Sequence, residues 1–536
     1  MKKIIICLLV VMVSSQYSCK KFLSITPIDK LTGNNFYQSV DDIESNITDM
    51  YGRLFDKYTR TSFAGATGEF RSGEAIPAVQ GGEIRRGISR IGGHTRQAPD
   101  PKGSTVKQVI PTTVINDRLL LEAVQDGRDW SSYNFRDLTN WEEYYRVIQA
   151  ANLLLVKVQE GIPALNAEQT KRYIAEARFI RSFCYFQMVR LYGDVVYYTA
   201  AYQKDPLPRE NMVSVLNKCI ADLKLAKPDL PWTMSDPSQR GVRASRGAVV
   251  GLIMNMNMWN AGFDPSRKME YYDETISLGE ELIASNAFKM LPLSQWATVS
   301  KGRSEESLFE LFRTLNYNDS DNPFAQANPY SPFADVFIHF PYKQPEYTHR
   351  YSNAVFTEEY MLKLYPDPGD QRLETWFVAP FDQNPETFQL KKFAYNTFVD
   401  ASNPSLDINP DNTYLIMRYA DAILLCAEAY AERGNESGAA DKLNMVRSQR
   451  GATEFVVGAG DIKDVIFWER AKELMGEGSH YFDLVRTKRI MNRQYVENPL
   501  TFDKFNRGGW TWPIDAAALT NNPLMRLNDY WIGTGL

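Results

Sequence analysis

The sequence predicts a mainly all-α protein, built by stacking two-helix units and carrying a loop-rich second face. Three observations predict it. First, residues 414–451 read YLIMRYADAILLCAEAYAERGNESGAADKLNMVRSQRG, two helix-length segments parted by Gly434, Asn435, Glu436, Ser437 and Gly438. Leu415, Tyr419, Ala422, Ile423, Cys426 and Tyr430 recur at spacings of three and four, one helix face; Ala439, Leu443 and Val446 continue the pattern before Gly451. Second, residues 166–192 carry apolar side chains around nearly the whole circumference (Ile174, Ala177, Ile180, Phe183, Cys184, Met188, Leu191), as a central helix packed on several sides does. Third, further pairs can be drawn at 36–57 with 141–159, 166–192 with 210–226, and 244–259 with 271–285.

The elements follow in order. Residues 36–57 place Ile43, Ile47, Tyr51 and Phe55 at i, i+4 spacing. Residues 61–130 change character: Gly65, Gly68, Gly73, Gly81, Gly82, Gly92 and Gly93, with Pro77, Pro99, Pro101 and Pro111, predict turns and irregular backbone. Helices resume at Trp141, and Gly193-Asp194 stops the central one. From about Leu315 to Asn412 the helical period fades again, with many prolines and the aromatics Phe324, Tyr330, Phe333, Phe337, Phe340, Tyr342, Tyr347 and Tyr351. The Asn/Asp run at 318–322 lacks a calcium-loop pattern and reads as a turn. Residues 462–476 form one more helix, and the chain closes on Trp510, Trp512, Pro513 and a polar strip. Two antiparallel helices with small residues at the contact (Ala422, Ala427, Ala429, Ala440) resemble a tetratricopeptide unit, about 34 residues that bury their apolar face only by stacking on neighbours. Four such units are expected.

Composition narrows the function classes. The chain has 536 residues, 60 basic and 65 acidic, for a net charge of −5. No long basic run offers the clustered cations a nucleic acid requires. The only long apolar run, residues 4–13, is shorter than the roughly 20 residues that span a bilayer. Lys2 and Lys3 before it and Ser18-Cys19 after it read as a secretory signal. A small residue followed by Cys resembles a bacterial lipobox with Cys19 as the lipidated residue, although Gln16 stands where such a box has an apolar side chain; cleavage nearby as an ordinary signal peptide is the alternative. Cys184, Cys219 and Cys426 sit in apolar helical patterns without C-x-x-C spacing, so buried free thiols are the simplest reading, while Cys184 and Cys219 could also face one another across a hairpin.

A series of blocks then carries a specific resemblance. It includes Cys19 with Phe22, Leu23 and Pro27; Trp141, Tyr144, Tyr145, Ala151 and Asn152; residues 175–181 and 190–195; Arg243-Ala244 and Gly247-Ala248; Asp370, Gln371 and Arg372; Arg418 to Asp421 with Ala427, Glu428 and Ala429; residues 444–447; Glu469, Arg470, Glu473, Glu477 and residues 482–486; and Trp512 to Ile514. In order and spacing these resemble the SusD/RagB family of Bacteroidetes outer-membrane lipoproteins, almost end to end. Ser24 and the Ser479-His480 pair depart from the pattern. The resemblance implies four tetratricopeptide-like helix pairs and a non-catalytic, lipid-anchored protein of the cell surface. It also implies a SusC-like TonB-dependent barrel as partner, an oligosaccharide as ligand (a peptide in some members), and no cofactor. On this frame residues 1–18 are the signal peptide and 19–536 one unit. Its N-terminal helical scaffold is 36–57 and 141–314, with a loop excursion at 61–133. A ligand-face excursion at 315–411, a helical pair and following helix at 412–500, and a strip at 501–536 complete it.

Sugar binding needs aromatic platforms for the apolar faces of pyranose rings beside polar groups for their hydroxyls. Both excursions hold that mix. Glu69, Arg71, Glu74, Trp130 and Tyr133 lie in or beside the first, and Asn328, Tyr330, Phe333 and Tyr342 in the second. For any one aromatic, packing beneath its own loop is the plainer role. Catalysis has little support, since no nucleophile elbow, zinc motif or P-loop occurs and His94, His339, His349 and His480 are scattered. A glycoside hydrolase would need only two carboxylates, with Glu69 and Glu74 or Asp126 and Asp129 as candidates. Arg418, Asp421 and Glu428 share a helix face and are expected to clamp neighbouring helices, for example Glu428 to Arg447; Glu176, Arg178 and Arg181 are read the same way.

Overall fold

The structure, a computed structural model, describes residues 37–59, 68–78, 88, 138–313, 332–342, 350–395, 411–520 and 522–533. Helix α1 (Val40–Thr59) starts where Ser39 and Asp42 exchange caps: Asp42 Oδ2 accepts from Ser39 N at 2.8 Å and Ser39 Oγ from Asp42 N at 3.1 Å. Its buried stripe is Ile43 and Ile47, as expected, then Met50, Leu54 and Tyr58; the expected Tyr51 and Phe55 flank it, half-buried. Helix α1 packs on α2 (Glu142–Glu160), and α2 on the long α3 (Ala167–Tyr192). Asn166 and Gln169 form a capping box at the start of α3, and Gly193, φ 75°, turns the chain out of it. Helix α3 is buried along most of its length, as its all-round apolar pattern predicts, and α4 (Met212–Ala226) is its partner.

The third pair is α5 (Arg246–Phe263) with α6 (Lys268–Ala284), and the fourth is α7 (Tyr419–Glu432) with α8 (Glu436–Gln449). Helix α6 packs on α7 through Gly279, where an added Cβ would lie 2.6 Å from Cys426 Sγ. All three described cysteines are free and buried. The fold is therefore the expected helical one, with a correction at its fourth pair. Residues Tyr414–Arg418 are not the first turn of the helix but strand β6, antiparallel to β2 (Ser307–Leu311). All of β2 is buried, so β6 finds in it a partner for its backbone groups, and Leu415 packs from the strand.

Two more small sheets lie in the irregular part: β1 (Ala75–Pro77) with β3 (Ala354–Phe356), and β4 (Phe377–Val378) with β5 (Gln389–Leu390), both antiparallel. After α8 come α9 (Ile462–Glu473) and α10 (His480–Arg486). The closing strip is tied to the central helix, Trp512 N donating to the Leu191 carbonyl at 2.7 Å, with Trp510, Trp512 and Ile514 buried.

The polar residues of the resemblance blocks are structural. Arg243 donates to both oxygens of buried Glu176 at 2.5 and 2.7 Å, and Arg181 spans Asn152 (2.7 Å) and Asp222 (2.5 Å). Arg470 bridges Asp421 (2.8 Å) and Asp483 (2.9 Å). The expected partner of Glu428 is corrected: Glu428 faces α10 and accepts from Arg486 at 2.5 and 2.7 Å, whereas Arg447 faces α9 and pairs with Glu469 at 2.9 Å. Deeper still, Arg372 donates to Asp370 (2.7 Å), Glu469 (2.5 Å) and Glu473 (2.9 Å) with every partner buried. Arg418 joins Glu306, Glu473 (3.1 Å) and Glu477 (2.8 Å), and Arg450 reaches Glu473 at 2.8 Å and the Leu291 carbonyl at 2.7 Å. Burial opposes ionisation here, yet Arg450, Arg418 and Arg372 hold Glu473 well below the usual carboxylate range. The Trp296 ring closes the network, with the Arg418 and Arg450 guanidinium carbons 5.1 and 5.6 Å from its centroid.

Candidate functional site

The two loop excursions, far apart in sequence, meet in the β1–β3 ladder, where Ala75, Ile76 and Pro77 lie opposite Phe356, Val355 and Ala354. Beneath the ladder Phe70, from the short helix Glu69–Ser72, packs on Phe333 (centroids 5.3 Å apart) and Phe337 (6.3 Å). Phe337 stacks in turn on Phe356 at 5.1 Å. Residues 338–342 then run beside the β4–β5 hairpin. His339 N donates to Gln389 Oε1 at 2.9 Å, and the His339 ring nitrogens lie against the Phe340 and Phe388 carbonyls at 2.8 and 3.3 Å.

This geometry overturns three expected ligand contacts. Glu69 is buried, its Oε1 accepting from Gly476 N at 2.9 Å, and burial pushes its carboxyl up to about 7. Arg71 is turned inward, donating to the Gly509 and Thr511 carbonyls at 3.2 and 3.0 Å and lying over the rings of Tyr481 and Trp512. Phe333 is fully buried among the rings just named. The segment that holds Glu69 and Arg71 is folded under the ladder and joins the excursion to Gly476 and to the closing strip, so its polar groups serve that junction, while Phe333 is covered by Phe70 and Phe337. Burial of Glu69 likewise removes it from any surface pair of catalytic carboxylates with Glu74.

Glu74 and Tyr342 fare differently. Glu74 is half-buried, and desolvation together with the Glu497 carboxylate raises it to about 8. Tyr342 is half-buried, with the Lys391 ammonium 5.8 Å from its ring centroid. Beside it Phe340 shows 37% of its surface, and the turn between β4 and β5 exposes Phe381 equally. Phe340 is one of the aromatics that mark the second excursion but is not among the expected ligand contacts, and Phe381 has no sequence signal beyond its position outside any helical period. Trp130, Tyr133, Asn328 and Tyr330 lie outside the described residues, as do Asp126, Asp129 and Cys19. Among the described residues no three His, Cys, Asp or Glu side chains converge as metal ligands, and no helix is long and apolar enough to cross a membrane.

A scaffold of stacked helix pairs that holds up a face of loops defines a class of binding architecture. Comparison with known proteins makes the class specific. Residues 299–531 match the family profile described as the SusD family, and residues 94–256 match one described as "starch-binding associating with outer membrane". A SusD homolog of Bacteroides thetaiotaomicron with a solved crystal structure is 31% identical, superposes with a TM-score of 0.77, and is covered over 99% of its length by 92% of this chain. A SusD-like protein of Formosa agariphila is 24% identical over 95% of both chains. A structure described as a laminarin binding SusD-like protein shares the fold, with a TM-score of 0.64, 20% identity, and coverage of 92% of this chain and 99% of that one. The chain belongs to the SusD/RagB family, whose members are binding proteins.

Proposed function

We propose that this chain is a glycan-binding lipoprotein of the cell surface, anchored through Cys19, that captures oligosaccharides and passes them to a SusC-like TonB-dependent barrel. The reading rests chiefly on its likeness to SusD proteins across nearly the whole chain. The laminarin-binding relative of the same fold supports a saccharide ligand. The joined excursions support one shared, shallow face: Tyr342, Phe340 and Phe381 offer rings there, with Lys391 beside Tyr342 as a polar partner and Glu74 a further proposed member. Trp130, Tyr133, Asn328 and Tyr330 remain proposed members of that face. No cofactor enters the reading.

The test is a glycan array, with α- and β-glucan oligosaccharides among its members, probed with the full chain in detergent. Binding to at least one oligosaccharide without release of new reducing ends is expected. Loss of a stacking ring costs on the order of 1–3 kcal/mol by analogy with rings stacked on bases, roughly ten- to a hundredfold in affinity. Calorimetry on Trp130→Ala, Tyr330→Ala and Tyr342→Ala reads that loss. Folded variants that all bind like the parent place the ligand elsewhere, and new reducing ends replace capture with hydrolysis.

A further inference from the structure

A cavity of about 800 Å³ opens where the end of α5 meets the closing strip, and none of its lining residues belongs to either loop excursion. Its apolar wall is Phe263, Phe505 and Trp510; the first two are nearly parallel with centroids 6.2 Å apart, and Trp510 lies 5.5 Å from Phe263. Lys488 reaches over that wall. Its ammonium is 3.6 Å from the Phe263 centroid and 4.4 Å from that of Phe505. The backbone at Lys488 is left-handed, φ 65°, a conformation uncommon for a side chain of this kind.

Most cations of the scaffold face a carboxylate. This one does not: among the described residues Lys488 has no carboxylate within ion-pairing reach, and burial lowers its ammonium to about 8. Its neighbours Arg209 and Arg526 make no ion pair with a carboxylate among the described residues either. Arg209 spends its donors on the carbonyls of Asp194 (2.6 Å), Tyr192 (2.5 Å) and Arg526 (2.9 Å), and the exposed Arg526 side chain faces no carboxylate among the described residues. With Lys268 and Arg507, five cations line the cavity against two carboxylates, Asp194 and Asp529; Lys268 and Arg507 also pair outside the lining, with Glu432 at 3.8 Å and Asp503 at 3.7 Å, which leaves Lys488, Arg209 and Arg526 as the cations without a carboxylate partner among the described residues. Asp194 is itself engaged, its Oδ1 accepting from Met212 N at 2.9 Å. In a chain of net charge −5 this is a local excess of positive charge, held where water is partly excluded and an anion is attracted most strongly.

We infer that this cavity is a second binding site, for an acidic mono- or disaccharide whose carboxylate or sulfate meets the Lys488 ammonium while the sugar body lies along Phe263. The volume falls in the range of small-ligand pockets, about 300–1,000 Å³. The saccharide half of the inference rests on the function proposed above; the acidic half rests on the cavity alone.

Calorimetry on the full chain in detergent tests it, with a glucuronate-terminated disaccharide, its neutral glucose analogue, a sulfated disaccharide and inorganic sulfate as probes. The acidic disaccharides are expected to bind at least tenfold tighter than the neutral one, and the stronger of the two identifies the oxyanion. Lys488→Met, which keeps the packing and removes the charge, should weaken them at least tenfold with an unchanged circular dichroism spectrum. Arg526→Gln, on an exposed side chain, should weaken them several-fold and serves if Lys488→Met does not fold. Equal binding of the neutral disaccharide, no acidic binding at millimolar concentration, or indifference of binding to both substitutions overturns the site. Inorganic sulfate binding as tightly as the acidic disaccharides overturns the saccharide half and leaves an anion site. Glycan capture that survives Lys488→Met separates this cavity from the loop face, so either reading can fail alone.

Discussion

Glu69 shows how a residue's environment outweighs its type. A carboxylate in a glycine-rich segment suggests a surface group, yet burial holds this one up to about 7 despite the backbone donors of Gly476 and of Glu69 itself. A folded-state value above the unfolded one, near 4.5, means that the native state binds the extra proton. Its contribution is therefore intact below about pH 4.5 and is lost as pH rises toward 7 and beyond. Glu69→Gln keeps an acceptor for Gly476 and needs no proton. Urea unfolding should show the variant more stable than the parent at pH 8, by up to about 3 kcal/mol from a shift of this size; the advantage should vanish at pH 4.5. Equal stability at both values would mean the carboxyl is ionised and compensated in the native state. The same residue marks what the sequence could not reveal. Loop composition separates the excursions from the scaffold, but whether a given Glu, Arg or Phe within them points in or out depends on what closes over it. For Glu69, Arg71 and Phe333 that is Gly476, the carbonyls of Gly509 and Thr511, and the Phe70–Phe337 cluster, hundreds of residues away for the first two.

At the scale of elements the sequence is far more legible. Helices announce themselves through the 3.6-residue period, and α1 to α8 lie within a few residues of their expected positions. The period fails where an apolar run is short. Residues 414–418 read equally as helix or strand, and only the buried strand Ser307–Leu311, about a hundred residues earlier, decides it. Helix contacts offer a sharper test. Gly279 on α6 leaves no room for a Cβ beside Cys426 Sγ and Cβ, at 2.6 and 2.7 Å. Gly279→Ala should cost roughly 1–3 kcal/mol by overpacking, despite the helix propensity that alanine brings. Cys426→Ala in the same chain should return part of that loss, because it removes the sulfur the new methyl meets. Thermal melts of the two single variants and the double give the coupling; strictly additive melts would mean the helices simply move apart.

The whole molecule adds the questions of place and partner. If Cys19 carries the lipid, Cys19→Ala should abolish incorporation of labelled fatty acid and release the chain from outer-membrane fractions; unchanged labelling would sink the anchor. The proposed partnership with a SusC-like barrel, if it lasts through many transport cycles, needs a large interface, on the order of 2,000 Å² or more. Mild detergent extraction and affinity purification should therefore recover a much larger barrel protein with this chain, and recovery of the chain alone across several detergents would count against the partnership.

The buried charges around Glu473 carry a consequence for how the molecule comes into being. Their partners are separated along the chain by 101 residues (Arg372 to Glu473), 112 (Arg418 to Glu306) and 144 (Arg450 to Glu306). A chain interrupted between residues 451 and 468 would already contain Arg372, Arg418 and Arg450 but neither Glu469, Glu473 nor Glu477. Three guanidinium groups would then have to be buried beside Glu306 and Asp370 alone, and a buried charge left without its partner costs about 3–5 kcal/mol. The network thus acts as a completeness check: unfinished or clipped chains keep their cationic segments in water, open to proteases, while only the finished chain can close. A version ending at residue 460 should be degraded by trypsin within minutes under conditions that leave the scaffold of the full chain intact.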